Sequence, residues 1–334
     1  MSNNQGYSVG ITGIGICVPD NVVTNKDLES RIDTTDEWIA SRTGIRQRRI
    51  AQESICTSDL GVEAATKALA HAGLQATDID LIIVGTMSPD LPWPATACII
   101  QAKLGAHQAA AFDLSAGCSG MVYAMATATQ FIAGGLYKRV LVIGAETMSR
   151  LVNWEDRGTC VLFGDGASAV ILEAVPQGGF LSFELGADGR GVEHLYQPAG
   201  GCKLPASAET VANKQHYLVM NGREVFKFAV RVMGEAAMKA LDKAGISKDE
   251  VDYFVPHQAN IRIIEAAAKK LELPMEKVFV NVHKYGNTSA ASIGIALYEA
   301  LHDGKLKQGD KVVLVGFGTG LTWAAAVMEW NLNR

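Results

Sequence analysis

The sequence predicts an α/β protein assembled from two copies of one unit, and three observations carry that reading. Helical patterns alternate with short apolar runs along most of the chain, as in helices packed on sheets. The segment Ala64 to Ile83 (AATKALAHAGLQATDIDLII) aligns without a gap on Ala236 to Val255 (AAMKALDKAGISKDEVDYFV), an offset of 172, with eight of twenty positions identical. The same offset carries RVLVIGA at Arg139 onto KVVLVGF at Lys311. A register that holds across so much chain is an internal repeat. It divides the 334 residues into an N-terminal half, 1–175, and a C-terminal half, 176–334.

Each element follows from local pattern. Ser8 to Cys17 reads as a strand ended by Pro19 and Asn21. Two short helices come next, the second announced by the capping-box pattern Thr34-x-x-Glu37 and stopped by Gly44. Trp38 and Arg42 lie on it, with Arg46, Arg48 and Arg49 just beyond as exposed basic company. A long amphipathic helix, Ser58 to Ala72, ends at Gly73 and leads to the strand Asp80 to Gly85. After a Pro-rich connection (Pro89, Pro92, Pro94) a helix runs to Leu104. Then come the apolar run Ala109 to Leu114, expected to be buried, a tight loop of small residues, and an Ala-rich helix from Ser119 to Ile132. The strand Lys138 to Gly144 follows. In the second half Asn287 precedes a helix from Ser289 to Leu301, and Leu321 to Trp330 reads as a strand.

Composition narrows the function. A hydrophobic content of 48% with 19% charged residues is that of a soluble globular chain, and no apolar run is long enough to span a membrane. The opening MSNNQGYSVGITG has neither a basic n-region nor a continuous apolar h-region, so a cytoplasmic protein without membrane attachment is expected. Six scattered cysteines, with no C-x-x-C and no Cys/His cluster, argue against disulfides and against a metal site. A formal net charge of −5 and the absence of a basic run make nucleic acid an unsuitable partner.

The chemistry centres on Asp113 to Met121, DLSAGCSGM. Cys118 sits where a strand turns into a helix, a position whose unpaired N–H groups and positive dipole end favour thiolate. Small neighbours suggest an exposed nucleophile open to a substrate carbonyl. At the repeat offset Cys118 lands on Ala290, Ser115 on Asn287 and Gly85 on His257. Sites in α/β sheets form at the carboxyl ends of strands. Symmetry therefore predicts that Cys118, His257 and Asn287 converge. His257 follows an apolar strand in VPHQAN, and His283 and Lys284 are read as loop residues. The Gly-rich GFGTGLTW, Gly316 to Trp323, is followed by a strand and not by a helix, so it is no dinucleotide fingerprint. It can aim N–H groups at an oxyanion near the sulfur.

Together TTDEWIASRTGIRQRRI, the Cys118 loop, NWEDRGTCVLFGDGA, MNGREVFKFAV, VPHQANIRI, the Asn287 loop and GFGTGLTW resemble the β-ketoacyl-acyl-carrier-protein synthase III family, initiating condensing enzymes of type II fatty acid synthesis within the thiolase superfamily. The resemblance covers essentially the whole chain. It implies a thiolase-like, five-layered αβαβα fold of two pseudo-duplicated halves, and an obligate homodimer. It also implies acylation of Cys118 by an acyl-CoA, an oxyanion hole from Cys118 and the Gly318, Thr319, Gly320 loop, and decarboxylation of malonyl-acyl-carrier protein assisted by His257 through Nε2 and by the Asn287 amide. The CoA thioester is a substrate, and neither a metal nor a redox cofactor is implied.

By the same resemblance Trp38 and Arg157 sandwich the CoA adenine, with Arg42 near its phosphates. Gly222, Phe226, Ala259 and Asn260 match the pantetheine tunnel. Lys227, Arg262, Lys269 and Lys270 match the region that docks the acidic carrier protein. Three departures stand out: Thr319 in a loop usually made of glycines, Arg223 in place of a common Asn, and Trp93 where a smaller Phe enters the partner's acyl pocket. The larger Trp93 implies a short primer, acetyl or a small branched acyl.

Related condensing enzymes that make polyketide starters share the Cys-His-Asn set and form the alternative. Those that make hydroxymethylglutaryl-CoA need a Glu base, for which the matching segments offer no obvious candidate. A cysteine peptidase or amidase shares the order Cys, His, Asn, but its Cys-centred signature is absent and a whole-chain repeat is not its architecture. A catalytically dead scaffold would have lost Cys118 or His257, and both are present.

Overall fold

The structure is a computed structural model and describes residues 8–332. Residues 1–7, on which part of the N-terminal reading rests, lie outside the described residues. The first half runs β1 (Ser8–Cys17), β2 (Val22–Thr24), α1 (Asn25–Glu29), α2 (Asp36–Thr43), β3 (Gln47–Arg49), α3 (Thr57–Ala72), β4 (Leu81–Gly85), α4 (Thr96–Leu104), β5 (Ala110–Leu114), α5 (Gly120–Ala133), β6 (Val140–Thr147) and β7 (Asp165–Val175). The second continues with β8 (Gly179–Ala187), β9 (Leu195–Tyr196), α6 (Ala208–Ala212), β10 (Val219–Met220), α7 (Gly222–Ala244), β11 (Tyr253–Pro256), α8 (Ile261–Lys270), α9 (Val282–Tyr285), α10 (Ser292–His302), β12 (Lys311–Gly318) and β13 (Thr322–Glu329).

The repeat in the sequence is a repeat in topology. The first sheet has the order β1-β7-β6-β4-β5 and the second β8-β13-β12-β11. The pairs β4 with β6 and β11 with β12 are equivalent and parallel, and the pairs from there toward β1 or β8 are antiparallel. A parallel bridge between Phe254 and Val278 stands where β5 stands in the first sheet. The stops match as well: α3 ends at Gly73 (φ 68°) and α7 at Gly245 (φ 67°), both left-handed caps.

Five layers result. One core lies between the sheets and buries α5 and α10, through Met121, Met125, Ile293 and Leu297 among others. A second packs α3 and α4 on the outer face of the first sheet. A third packs α7 and α8 on the outer face of the second. Strands such as β4 and β6 are buried along their whole length, as expected of strands covered on both faces. Among the described residues no helix is long and apolar enough to cross a membrane.

Several local expectations are corrected. The cap of α2 is Thr35, whose hydroxyl accepts from the Trp38 N–H, one residue beyond the expected Thr34. The Ala109 to Leu114 run forms a half-exposed strand at the sheet edge, with Ala109 buried and Phe112 and Leu114 only partly covered by the core between the sheets. His283 and Lys284 belong to the one-turn helix α9. Arg48 is fully buried, not exposed, and donates to the Val23 and Val161 carbonyls and to Asn25 Oδ1. Burial pushes its guanidinium down to about 10.

Candidate active site

The two halves meet through their turns. Cys118 lies in a single 3-10 turn, Gly117–Ser119, that opens into α5; Ala290 lies in the equivalent turn, Ser289–Ala291, before α10. A Cβ on Gly144 of β6 would stand 2.4 Å from the Ala290 carbonyl oxygen, and one on Gly316 of β12 would stand 3.4 Å from the Cys118 oxygen. Each half thus rests the end of a strand on the other half's turn, which brings the carboxyl ends of both sheets together.

Backbone approach at Cys118 is very close. Gly117 has φ +58°, and a Cβ there would stand 2.6 Å from the Thr319 nitrogen. A Cβ on Gly318 would stand 2.4 Å from the Cys118 nitrogen. Glycine is required at both positions. The Gly-rich segment is a hairpin between β12 and β13, and its positive φ falls on Gly320, while Thr319 keeps an ordinary backbone and donates its hydroxyl to the Leu195 carbonyl.

Cys118, His257 and Asn287 line one cavity of about 90 Å³ with Gly318, Phe317, Gly222, Phe226, Ala259 and Asn260. A second, of about 60 Å³, continues past Cys118 between Met87, Met148, Leu151, Phe163, Leu195, Leu218 and Thr319. Gly318 lines the first cavity with Cys118 and Thr319 the second, whereas Gly320 lines neither.

Cys118 is only 8% exposed, which overturns the expectation of an exposed thiol biased to thiolate. Burial is the main cause that pushes it up to about 12, and the carboxylate of Glu146 adds to the rise. Ser289, the Cys118 N–H and the Asn287 side chain act the other way and favour the anion. Desolvation outweighs these effects, so the group is a thiol.

His257 is 1% exposed, and burial pushes its imidazole down to about 3, so the ring is neutral. Nδ1 lies 2.5 Å from Ser292 Oγ, Phe317 packs edge-on with centroids 5.5 Å apart, and Nε2 is buried without a partner. Asn287 is held by its backbone, which accepts from the Gly164 N–H and donates to the Leu162 carbonyl. Its Oδ1 accepts from the Ser289 N–H at 2.8 Å, which leaves the amide NH₂ to donate toward the sulfur.

Glu146, at the end of β6, is fully buried beside this group. It accepts from the Ser88 hydroxyl at 2.6 Å, the Met87 N–H at 3.0 Å and the Ser289 hydroxyl at 2.8 Å. The expectation that no Glu stands near the nucleophile is therefore corrected, but its oxygens are engaged in holding loops. A lone acid inside the apolar run VLVIGAET was the signal that sequence reading passed over. Ser289, Ser292 and Phe317 carried no such signal.

The outer residues divide. Arg42 and Arg157 both stand over the Trp38 ring, with guanidinium carbons 4.7 and 4.8 Å from its centroid. A base sandwiched between Trp38 and Arg157 therefore requires Arg157 to swing away. Arg262 covers the Phe226 ring at 5.1 Å, Lys227 pairs with Glu224 at 2.7 Å, and the Lys270 stem packs against Gly234. Lys269 stands in the last turn of α8. Arg223 is exposed in the first turn of α7. Trp93 is 84% exposed and enters neither cavity of its own chain.

Comparison with known proteins agrees with this geometry. Residues 112–189 match the family described as 3-oxoacyl-[acyl-carrier-protein (ACP)] synthase III, and residues 241–330 match its C-terminal part. A β-ketoacyl-[acyl-carrier-protein] synthase III of Desulfitobacterium hafniense is 57% identical over 325 residues, 97% of this chain and 98% of that protein. The crystal structure of the 3-oxoacyl-[acyl-carrier-protein] synthase III of Aquifex aeolicus superposes with a TM-score of 0.90 at 48% identity, covering 96% of this chain and all of that one. The priming β-ketosynthase of the R1128 polyketide pathway has the same TM-score, 0.90, at 34% identity, with 99% of each chain covered. With its thiolase-type fold and the cysteine, histidine and asparagine gathered at the meeting of its halves, the chain belongs to the β-ketoacyl-[acyl-carrier-protein] synthase III family, acyltransferases that initiate fatty acid synthesis.

Proposed function

We propose that this enzyme condenses a short acyl-CoA, acetyl or a small branched acyl, with malonyl-acyl-carrier protein to give a β-ketoacyl-acyl-carrier protein, CoA and CO₂. The observation that carries the reading is the single cavity shared by Cys118, His257, Asn287 and Gly318, continuous with Phe226, Ala259 and Asn260. The Cys118 sulfur attacks the thioester carbon, the N–H groups of Cys118 and the Gly318–Thr319 turn stabilise the oxyanion, and the thiol proton leaves on the CoA sulfur. Malonyl-acyl-carrier protein then binds. His257 Nε2–H and the Asn287 amide donate to its thioester oxygen while CO₂ departs, and the enolate carbon attacks the acyl-cysteine. The cysteine sulfur leaves and regains a proton from solvent, which closes the cycle without a metal or redox cofactor.

Trp38, Arg42 and Arg157 hold the CoA nucleotide, and Gly222, Phe226, Ala259 and Asn260 flank its pantetheine. Lys227, Arg262, Lys269 and Lys270 receive the acidic carrier protein. A second copy of the chain covers the half-exposed edge strand β5, and its Trp93 closes the acyl cavity. The small apolar space past Cys118 suits the short primer. The likeness to the R1128 priming enzyme supports a second reading, a starter condensation in polyketide synthesis with the same chemistry and a different carrier protein.

Intact-protein mass spectrometry tests the proposal. Acetyl-CoA adds one acetyl group to the wild-type chain and none to Cys118→Ala, and malonyl-acyl-carrier protein discharges it with release of the β-ketoacyl product. If no CoA thioester labels Cys118, the proposal fails. Strong turnover of decanoyl-CoA would overturn the short primer, and a monomer in light scattering would overturn the pairing of copies.

A further inference from the structure

We infer that Ser292 is a positioning residue that donates its hydroxyl proton to Nδ1 of His257 and thereby keeps the imidazole proton on Nε2, facing the cavity. Ser292 opens α10 and is 1% exposed, as is His257. Its Oγ lies 2.5 Å from Nδ1, and the Gln258 backbone N–H approaches the same oxygen at 3.4 Å. An amide N–H only donates, so among the described residues the one acceptor within reach of the Ser292 proton is Nδ1. The opposite tautomer, with the proton on Nδ1, would leave the buried hydroxyl with donors on both sides and no acceptor, an arrangement that buried polar groups avoid.

Nε2 is buried and unpartnered, and the ring that carries it lines the cavity that Cys118 and Asn287 share, with Nδ1 turned to Ser292. Because the ring is neutral, its tautomer alone decides whether that nitrogen donates or accepts. The positive end of α10 next to the ring works in the same direction, by disfavouring imidazolium. Ser292 therefore sets the sign of the hydrogen bond that His257 offers a substrate oxygen, without touching substrate itself.

The inference rests on the reading of His257 as a donor to the malonyl thioester, and the two can fail separately. Nitrogen-15 NMR of the full-length enzyme, labelled at histidine and assigned with His257→Gln, reads the tautomer directly. In the wild type Nε2 should show the protonated, pyrrole-like shift and Nδ1 the pyridine-like one; the reverse pattern overturns the inference whatever the variants do. In Ser292→Ala both nitrogens move toward a tautomer mixture, and Ser292→Thr restores the wild-type spectrum. Decarboxylative condensation falls by about 10- to 100-fold in Ser292→Ala, in line with the loss of one preorganised donor, while Cys118 acylation by acetyl-CoA stays within about twofold. Equal loss of both half-reactions, with an unchanged spectrum, would make Ser292 merely structural. A wild-type spectrum as expected, beside a His257→Gln variant that still condenses, would sink the functional reading and leave the tautomer assignment standing.

Discussion

Ser289 donates its hydroxyl to Oε1 of Glu146 at 2.8 Å and so ties the turn that follows Asn287 to the end of a strand from the other half. Because Glu146 also accepts from Ser88 and Met87, Glu146→Ala leaves several buried donors without an acceptor. A loss of about 3 kcal/mol or more is expected in urea unfolding. Glu146→Gln should cost less, and by removing a negative charge beside the sulfur it should lower the thiol pKa, seen as iodoacetamide alkylation of Cys118 that sets in at lower pH.

The buried thiol and imidazole give stability two pH limits. With the His257 ring pushed down to about 3, the unfolded chain takes up a proton between about pH 6.5 and 3 that the folded chain refuses, so stability falls as pH drops across that window. With the Cys118 thiol pushed up to about 12 from 9, the unfolded chain loses a proton that the folded chain keeps, so stability falls as pH rises through that range. Urea midpoints against pH should show a shallower acid limb in His257→Gln and a shallower alkaline limb in Cys118→Ala.

Gly318 approaches the Cys118 nitrogen so closely that Gly318→Ala must push the two segments apart. Acylation by acetyl-CoA should slow by about 100-fold or more, the scale of losing one oxyanion donor, and the rate of acetyl adduct formation reads it.

Arg42 and Arg157 over Trp38 form a cation–π cluster, where the proposed CoA nucleotide would bind. Trp38→Ala should raise KM for acetyl-CoA by about 3- to 30-fold, with kcat nearly unchanged, as for a contact made equally in ground and transition states.

Much of this was legible in the chain. The strand Ser8–Cys17, ended before Pro19, and the stops at Gly44 and Gly73 follow from proline and glycine chemistry, which is local. The repeat register, compared with the strand ends, is enough to place His257 and Asn287 near Cys118. What local pattern does not carry is burial. The thiol of Cys118 is buried by segments distant in sequence, and that desolvation, which Ser289 and Asn287 oppose, reverses the thiolate bias that its turn alone implies. Glu146 likewise takes its meaning from partners 58 to 143 residues away. The choice between Thr34 and Thr35 as a cap turned on one residue of backbone geometry that either sequence pattern allows.

The resting of each half's strand on the other's turn has a further consequence. Neither half alone builds the cavity of the proposed reaction: opening the C-terminal half withdraws His257 and Asn287 and, through Gly316 and Gly318, the support beneath the Cys118 backbone as well. Turnover is then a reporter of the integrity of the entire chain, lost at the first partial opening, before either sheet has melted.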